Sequence, residues 1–504
     1  MSMPAQAHVA AVSLKRVLPG AKFYGASDIQ VTSCSSHSLS CQPGDLFVAT
    51  LGAKHDGHDH IEDAIAHGAT AVVTEQLLPG GNVPFCVVKD SRLALGQICH
   101  ALAGNPAERV PVIGVTGTNG KTTTTCLIAS ILRMARQLPA LAGTLGYCDG
   151  VRTQPAPLTT PPAPLLADWL ARSEARGATH AVLEVSSHAL AQHRTAGFEF
   201  DVACITNVRR DHLDFHGTLA NYKTAKGRIL DQLRDGGVAV LNLDDAACRE
   251  FLTTIDGPVL TYGMNSAAEV TATVIERHRS EQTFLLTAGS DTVPVRTAII
   301  GDHHVANCLA AATVGLVYGI DLATIVHGLE RITTMPGRLE RIECGQPFSA
   351  FVDYAHTPDA LETVLATLRQ VCTGRLICVF GAGGERDRAK RPLMGRAVEQ
   401  GADVAIITDD NPRREDPAAI AAQIRRGFKQ PRSTVVIHDR TRAIQTALAA
   451  AEPGDCVLVA GKGHETAQVV GRRRYEFDDR DVVRQWLYNT DADWAAAPTM
   501  RRAA

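Results

Sequence analysis

No apolar stretch in this 504-residue chain approaches the ~18 consecutive residues that a membrane-spanning helix needs, so no membrane span is expected. The opening residues Met1-Ser-Met-Pro-Ala-Gln-Ala7 contain no basic segment followed by an apolar one, which argues against an export leader and for a cytoplasmic protein; a monomer is expected. Positive charge is not in excess: 50 Lys and Arg against 53 Asp and Glu leave a net charge of −3. Nucleic acid is therefore not an expected partner, and any anionic small-molecule substrate must be met by local lysines and arginines. The 13 cysteines include no Cys-x-x-Cys pair, which points to buried free thiols rather than zinc or disulfides. His55, His58 and His60 crowd one Asp/Gly-rich loop, and a solvated turn accounts for them better than a metal site. Tandem repeats and low-complexity segments are absent, and the tail Trp494–Ala504 reads as frayed.

What the chain does have is length and a regular alternation of apolar runs with helical stretches. At about 150 residues per domain, three domains are expected. We draw them at 1–107, 108–337 and 338–504. The fold class is α/β throughout: a small N-terminal α/β unit, a central P-loop-type parallel sheet with helices, and a C-terminal doubly wound, Rossmann-like domain.

The central unit opens with Gly114-Val-Thr-Gly-Thr-Asn-Gly-Lys-Thr-Thr-Thr-Thr125 between an apolar run, Val110–Val115, and a helical stretch. In such a strand–loop–helix order, backbone N–H groups at the helix start cradle phosphate, Lys121 reaches the terminal phosphates and Thr122 offers a hydroxyl to Mg²⁺. The alternative is an ordinary Gly-rich turn. Spacing departs from the usual phosphate loop, with five residues between Gly114 and Gly120 and two between Gly117 and Gly120. Downstream, strand His180–Val185 places Glu184 near its carboxyl end, and Val202–Asn207 leads to Arg210-Asp-His-Leu-Asp214 and a helix with Lys223 and Lys226. Ligands bind at that edge of open α/β sheets. In the C-terminal unit, Gly381–Arg386, Asp409–Arg413 and Gly461–Glu465 follow strands, and three polar loops at one edge suggest a second ligand site. The first of these lacks G-x-G-x-x-G spacing, so NAD is not inferred.

Taken together, Thr116-Gly-Thr-Asn-Gly-Lys-Thr-Thr123, Glu184-Val-Ser-Ser-His188, Thr206-Asn-x-x-x-Asp-His-Leu213, Asp353-Tyr-Ala-His-Thr-Pro358, Lys390-Arg-Pro-Leu-Met394 and Asp410-Asn-Pro-Arg413 resemble the ATP-dependent Mur ligases. The resemblance runs from about Pro43 to about Gln468. It implies ATP-dependent amide-bond formation through an acyl phosphate, joining meso-2,6-diaminopimelate to a UDP-muramoyl dipeptide in peptidoglycan synthesis. The lysine-adding sibling differs where Arg413 stands, so the amine specificity rests on that loop. The alternatives are that lysine-adding ligase and a folylpolyglutamate-synthetase-like ligase. Outside this class stand a non-catalytic nucleotide-binding regulator and a P-loop ATPase.

The resemblance also assigns residues. Gly117, Thr118, Asn119, Gly120, Lys121, Thr122, Thr123, Asn307 and Arg338 are expected around ATP. Thr122 and Glu184 are expected to hold Mg²⁺, with His212 near a second Mg²⁺. Lys226 matches a position that carries a CO₂-derived carbamate in the family, which would turn a metal-repelling ammonium into an anionic oxygen ligand; Lys223 is the plain alternative. Ser38, Thr159, Thr160, Ser186, Gln192 and Arg194 are expected on the UDP-muramoyl peptide. Arg386 and Arg413 would take a carboxylate of diaminopimelate and Glu465 its ammonium, with Asp410, Asn411, Pro412 and Gly461 completing the pocket. Two departures stand out. His37-Ser38-Leu39 replaces the family's usual Asp-Ser-Arg, and His303-His304 replaces its usual Phe-Asn, with Asn307 kept.

Overall fold

A computed structural model describes residues 11–52, 55–76, 82–430 and 434–494. The opening residues from which no leader was read, residues 53 and 54 of the Gly52–Gly57 turn, and the tail beyond Trp494 lie outside the described residues.

Three sheets carry the three regions. The N-terminal one has five strands in the order Lys22–Tyr24, Phe85–Val87, Ala71–Thr74, Leu46–Val48, Cys34–Ser35, and only the Lys22–Tyr24 edge is antiparallel. The central sheet has eleven. Its parallel middle runs Pro139–Gly143, His180–Glu184, Val112–Thr116, Phe200–Ile205, Leu233–Asn242, Val259–Gly263, Val270–Arg277. Val270–Arg277, Gln282–Ala288 and Asp291–Thr297 form an antiparallel meander at one edge. The C-terminal sheet has six strands, five of them parallel, with Glu340–Ile342 antiparallel at its edge.

The parallel strands are apolar on both faces because helices cover both. Val112–Thr116 is buried at every residue. Helix Lys121–Met134 turns Leu127, Ile128, Ile131 and Leu132 inward, and helix Asp302–Val317 packs beside it with a run of buried Ala, Val and Leu. Helix starts are coded locally. Ser186, Thr218 and Thr357 each accept a backbone N–H of the first turn with their side-chain oxygen, and Pro358 occupies the first turn after Thr357.

None of the 13 cysteines is in a disulfide, but burial is uneven: Cys34, Cys126, Cys148, Cys344 and Cys372 are only half-buried. In the histidine-rich loop, His58 bonds Asp56 through Nδ1 at 2.6 Å and accepts Glu75 N–H through Nε2 at 3.1 Å. Among the described residues no helix is long and apolar enough to cross a membrane.

Candidate active site

The loop between strand Val112–Thr116 and helix Lys121–Met134 is held from beside, by the residues that follow strand Phe200–Ile205. Thr118 N–H donates to Asn207 O at 2.9 Å and Asn119 N–H to Asn207 Oδ1 at 3.0 Å. Thr206 Oγ1 and Asn207 Nδ2 in turn donate to Asn119 O, at 2.6 and 3.1 Å. Two loop amides are thus committed within the protein. The donors left for a phosphate are those at the start of the helix, where the first turn has no backbone partners of its own. Glycine is required here on two counts. Gly117 and Gly120 sit at φ 153° and 86°, and a Cβ would lie 1.8 Å from Thr206 Oγ1 at the first and 2.2 Å from Asn307 Oδ1 at the second. That close cradle fits a polyphosphate, and it brings Asn307 to the loop as expected.

Two lysines meet on one carbonyl. Lys121 Nζ donates to Gly117 O at 2.8 Å and to Thr118 O at 3.0 Å; Lys226 Nζ donates to the same Gly117 O at 2.6 Å. Lys226 is 1 % exposed, lies 4.8 Å from the centre of the Tyr222 ring, and has no carboxylate within ion-pair distance among the described residues. Burial, and then the neighbouring Lys121 charge, hold its amine well below the ordinary lysine range. Two ammonium ions on one buried oxygen repel strongly, and of the two lysines it is Lys226 whose charged form the site disfavours more. A neutral amine is the form that can add CO₂. Lys223, one turn earlier, is half-buried and paired with Glu250.

Glu184 stands across the loop. Its carboxylate accepts Thr122 Oγ1 at 3.1 Å, Thr144 N–H at 2.9 Å and Thr144 Oγ1 at 3.0 Å. Burial pushes its carboxyl up, and the Thr144 bonds and the Lys121 and Arg338 charges pull the other way. Among the described residues no cluster of three or more His, Cys, Asp or Glu could hold a metal alone. A hydroxyl and a carboxylate in contact are the hard oxygen donors Mg²⁺ prefers, and phosphate oxygens commonly complete such a set. His212 follows Asp211 at φ 53°, its Nε2 3.3 Å from Asp211 Oδ2, with its ring edge-on to His188 at 4.8 Å.

The residues expected on the muramoyl peptide gather beside Glu184, with one exception. Thr160 Oγ1 donates to Glu184 O at 2.8 Å and accepts Ser186 N–H at 3.0 Å. Arg194 donates to Thr160 O at 3.0 Å and to Gln192 Oε1 at 2.7 Å, and Thr159 Oγ1 lies 3.2 Å from Thr144 Oγ1. Ser38 belongs to the N-terminal unit, buried in the turn Ser38–Ser40.

Arg338 links this site to the C-terminal domain. Its guanidinium lies over the Tyr354 ring, 4.5 Å from the centroid, and donates to Thr122 Oγ1 at 3.3 Å. Beyond it, the three strand-end loops converge. Arg413, at φ 52°, donates from Nη1 to Gly384 O at 2.6 Å. Asn411 donates to Glu465 Oε2 at 2.9 Å and accepts Lys462 Nζ at 3.0 Å. Lys462, fully buried, also reaches Glu465 Oε2 at 3.3 Å. Asp410 lies against Gly461: at φ 119°, a Cβ there would stand 2.6 Å from Asp410 Oδ2. Pro412 O presses on Gly384 in the same way, at 1.9 Å. Arg386 has no hydrogen-bond partner among the described residues and is exposed.

The His303-His304 departure lies in the first turn of helix Asp302–Val317. His304 is buried against Thr297 Oγ1 at 3.2 Å and Cys308 Sγ at 3.6 Å, and His303 Nδ1 is buried without a partner. Burial lowers both rings, to about 4 for His303 and about 3 for His304.

Sequence reasoning missed Thr144, Asn207, Tyr222 and Lys462. Asn207 and Lys462 sat inside the quoted motifs and could have been flagged as strand-end polar groups; Thr144 and Tyr222 had no local signal.

Three comparisons bear on the arrangement. Residues 30–102 match the description "Mur ligase family, catalytic domain", 115–315 the "Mur ligase middle domain" and 337–463 the "Mur ligase, glutamate ligase domain". The chain is 42% identical over 474 residues to the UDP-N-acetylmuramoyl-L-alanyl-D-glutamate--2,6-diaminopimelate ligase of Geobacillus thermodenitrificans (strain NG80-2), covering 93% of this chain and 97% of that one. A solved structure of a ligase of the same description superposes with a TM-score of 0.68 at 34% identity, over 95% of this chain and 99% of the other. The fold alone is shared with the MurF ligase of Thermotoga maritima solved with ADP, at a TM-score of 0.62 and 20% identity, over 92% of this chain and 98% of that one.

Proposed function

The chain belongs to the Mur ligase family, and from that premise we propose that it joins meso-2,6-diaminopimelate to UDP-N-acetylmuramoyl-L-alanyl-D-glutamate, consuming ATP and releasing ADP and phosphate, in peptidoglycan synthesis. The observation that carries the reading is Arg338: stacked on Tyr354 of one domain and bonded to Thr122 of the other, it sets the amino-acid pocket facing the phosphate loop. An amide ligase needs that arrangement. The dipeptide carboxylate attacks the γ-phosphorus of ATP and ADP leaves. The amine of the incoming amino acid then attacks the acyl carbon, phosphate leaves, and the nitrogen loses a proton.

In this reading the helix-start amides, Lys121 and Arg338 balance the charge that develops on the transferred phosphoryl group, which is most of what phosphoryl transfer asks of a protein. Thr122 and Glu184, with His212 nearby, would hold Mg²⁺, which supplies Lewis-acid charge at the phosphate oxygens. Lys226, carbamylated by CO₂, would supply an anionic oxygen there. Thr159, Thr160, Ser186, Gln192 and Arg194 orient the muramoyl peptide, and Ser38 belongs to the uridine end. Arg386 and Arg413 take a carboxylate of diaminopimelate. Lysine lacks the distal carboxylate, and leaving arginines unpaired in a closed pocket discriminates by orders of magnitude. Glu465 already carries Lys462 and Asn411 on one oxygen, which leaves its other oxygen for the substrate ammonium. ATP and a nucleotide sugar are cytoplasmic metabolites, which supports a cytoplasmic location for the enzyme.

The test is direct. Purified protein is given ATP, the UDP-muramoyl dipeptide and either lysine or diaminopimelate, and product mass is measured. Product with diaminopimelate, and phosphate release that needs both carboxylate and amine, are expected. Product with lysine alone would reassign it to the lysine-adding branch, and amine-independent ATP turnover would remove the ligase reading.

A further inference from the structure

In the amino-acid pocket, Glu385, the neighbour of Arg386, and Arg413 itself both sit at positive φ, 53° and 52°, which residues other than glycine seldom adopt. Each is held there from outside. Arg413 is clamped by the hairpin Ala467–Val470/Arg473–Glu476: its N–H donates to Val469 O at 3.0 Å and its O accepts Gly471 N–H at 2.6 Å. Glu385 is held by Glu415, whose Oε1 accepts its N–H at 2.5 Å. Glu415 also belongs to the Arg413 loop, its own N–H donating to Pro412 O at 3.1 Å. It is therefore bonded into both arginine-bearing loops.

Glu415 is fixed in turn by Arg391. That guanidinium is fully buried; Nη1 lies 2.9 Å from Glu415 Oε2 and Nη2 3.1 Å from Oε1, a two-pronged fit. The same two nitrogens donate to Gln423 Oε1 at 2.8 Å and Gly383 O at 3.0 Å. The loops meet again where Gly384 N–H donates to Asn411 O at 2.9 Å. Arg391 holds the Glu415 carboxyl down at about 2, and the exposed Arg388, 3.3 Å away, adds to it. Glu415 is thus ionised throughout the working range.

We infer that Arg391 and Glu415 are positioning residues that set Arg386 and Arg413 to receive a carboxylate of the incoming amino acid. Neither touches substrate. Arg391 is sealed under the loops, and both Glu415 oxygens are occupied by Arg391 and the Glu385 amide. The inference rests on the functional reading above and deepens it: the affinity for the amine substrate is set one layer behind the arginines that contact it.

The test uses Glu415→Gln, which keeps shape and removes charge, and Arg391→Lys, which keeps charge and removes the planar fork, in the full chain. KM is measured for the amino acid, ATP and the nucleotide-sugar dipeptide, with thermal melting alongside. The expected result is a rise of about tenfold in KM for the amino acid in both proteins, with the other two KM values within about twofold. The preference for diaminopimelate over lysine in kcat/KM should narrow by a like factor. A parallel rise in all three KM values, or an unchanged KM for the amino acid in a protein that melts normally, would overturn it. The wild-type arm separates the two claims. A wild type that prefers lysine sinks the specificity reading alone, and the pair is then judged on KM for lysine; a wild type that ligates neither amine sinks both.

Discussion

The phosphate site and the amino-acid pocket handle charge in opposite ways. Around Gly117, Lys121 and Lys226 share one carbonyl, and neither has a carboxylate within ion-pair distance among the described residues. In the C-terminal domain three buried cations are paired: Arg391 with Glu415, Lys462 with Glu465, and Arg440 with Asp479, the last two residues fully buried with Nε 2.7 Å from Oδ1. Arg386 and Arg413 have no carboxylate partner among the described residues. Site cations left without anions mark where an anion is to arrive, whereas pairs that neutralise one another mark the frame that aims the remaining groups. One site is assembled as a deficit of negative charge; the other is a nearly neutral scaffold with two arginines to spare.

Breaking the deficit should have the largest effect. Lys121→Ala is expected to lower turnover by at least about 10³-fold, read as ADP release with all three substrates present. A protein that keeps a tenth of its activity would show that the charge at Gly117 is not the phosphate site. Next, Lys226→Ala should cost about 10²-fold, and short-chain carboxylates should restore part of the loss by standing in for the carbamate oxygen. Full turnover, or no rescue, would count against a carbamate there.

Removing a spare arginine should act on one substrate only. Arg413→Ala is expected to raise KM for diaminopimelate by about 30-fold and to erode its preference over lysine, leaving KM for ATP alone. Full retention of that preference would sink the assignment.

The scaffold's charge can be titrated. The folded Glu415 carboxyl sits at about 2, below its ordinary 4.5. A depressed carboxyl stabilises the fold above its unfolded value, and that stability is lost as pH falls toward the folded one. The melting-temperature gap between wild type and Glu415→Gln should therefore be full at pH 6 and shrink between about 4.5 and about 2. A gap that stays constant would mean that the Arg391 contact is not ionic. The smallest effect is expected from Lys223→Ala. Its side chain is paired to Glu250 at the surface, so turnover should stay within about twofold, against the large loss at Lys226 three residues later.

Much of this was legible in one dimension. The strands His180–Glu184, Phe200–Ile205 and Leu376–Phe380 and the helices Lys390–Gly401 and Pro417–Arg425 fall where apolar runs and helical periodicity put them. Lys121, Thr122, Glu184 and the Asp410–Arg413 loop could be picked out because each lies at or shortly after the carboxyl end of a strand. Thr144 could not be: it is a polar residue just past the short strand Pro139–Gly143, and only the pairing of that strand with His180–Glu184 brings it onto the Glu184 carboxylate. Lys226 could be named by resemblance, but its lowered basicity could not, since that depends on burial and on a lysine 105 positions earlier.

By itself, then, the sequence determined the order of strand, loop and helix, the glycines that permit a phosphate cradle, and the cations within reach of it, because all of these are set by neighbours along the chain. Only the tertiary structure decided which of those cations keep their charge and which arginines are free to bind. Desolvation and ion pairing depend on what a fold brings to within a few ångströms, and in this protein the partners come from elements as far apart as Gly117 and Lys226, Asn411 and Glu465, and Thr122 and Arg338.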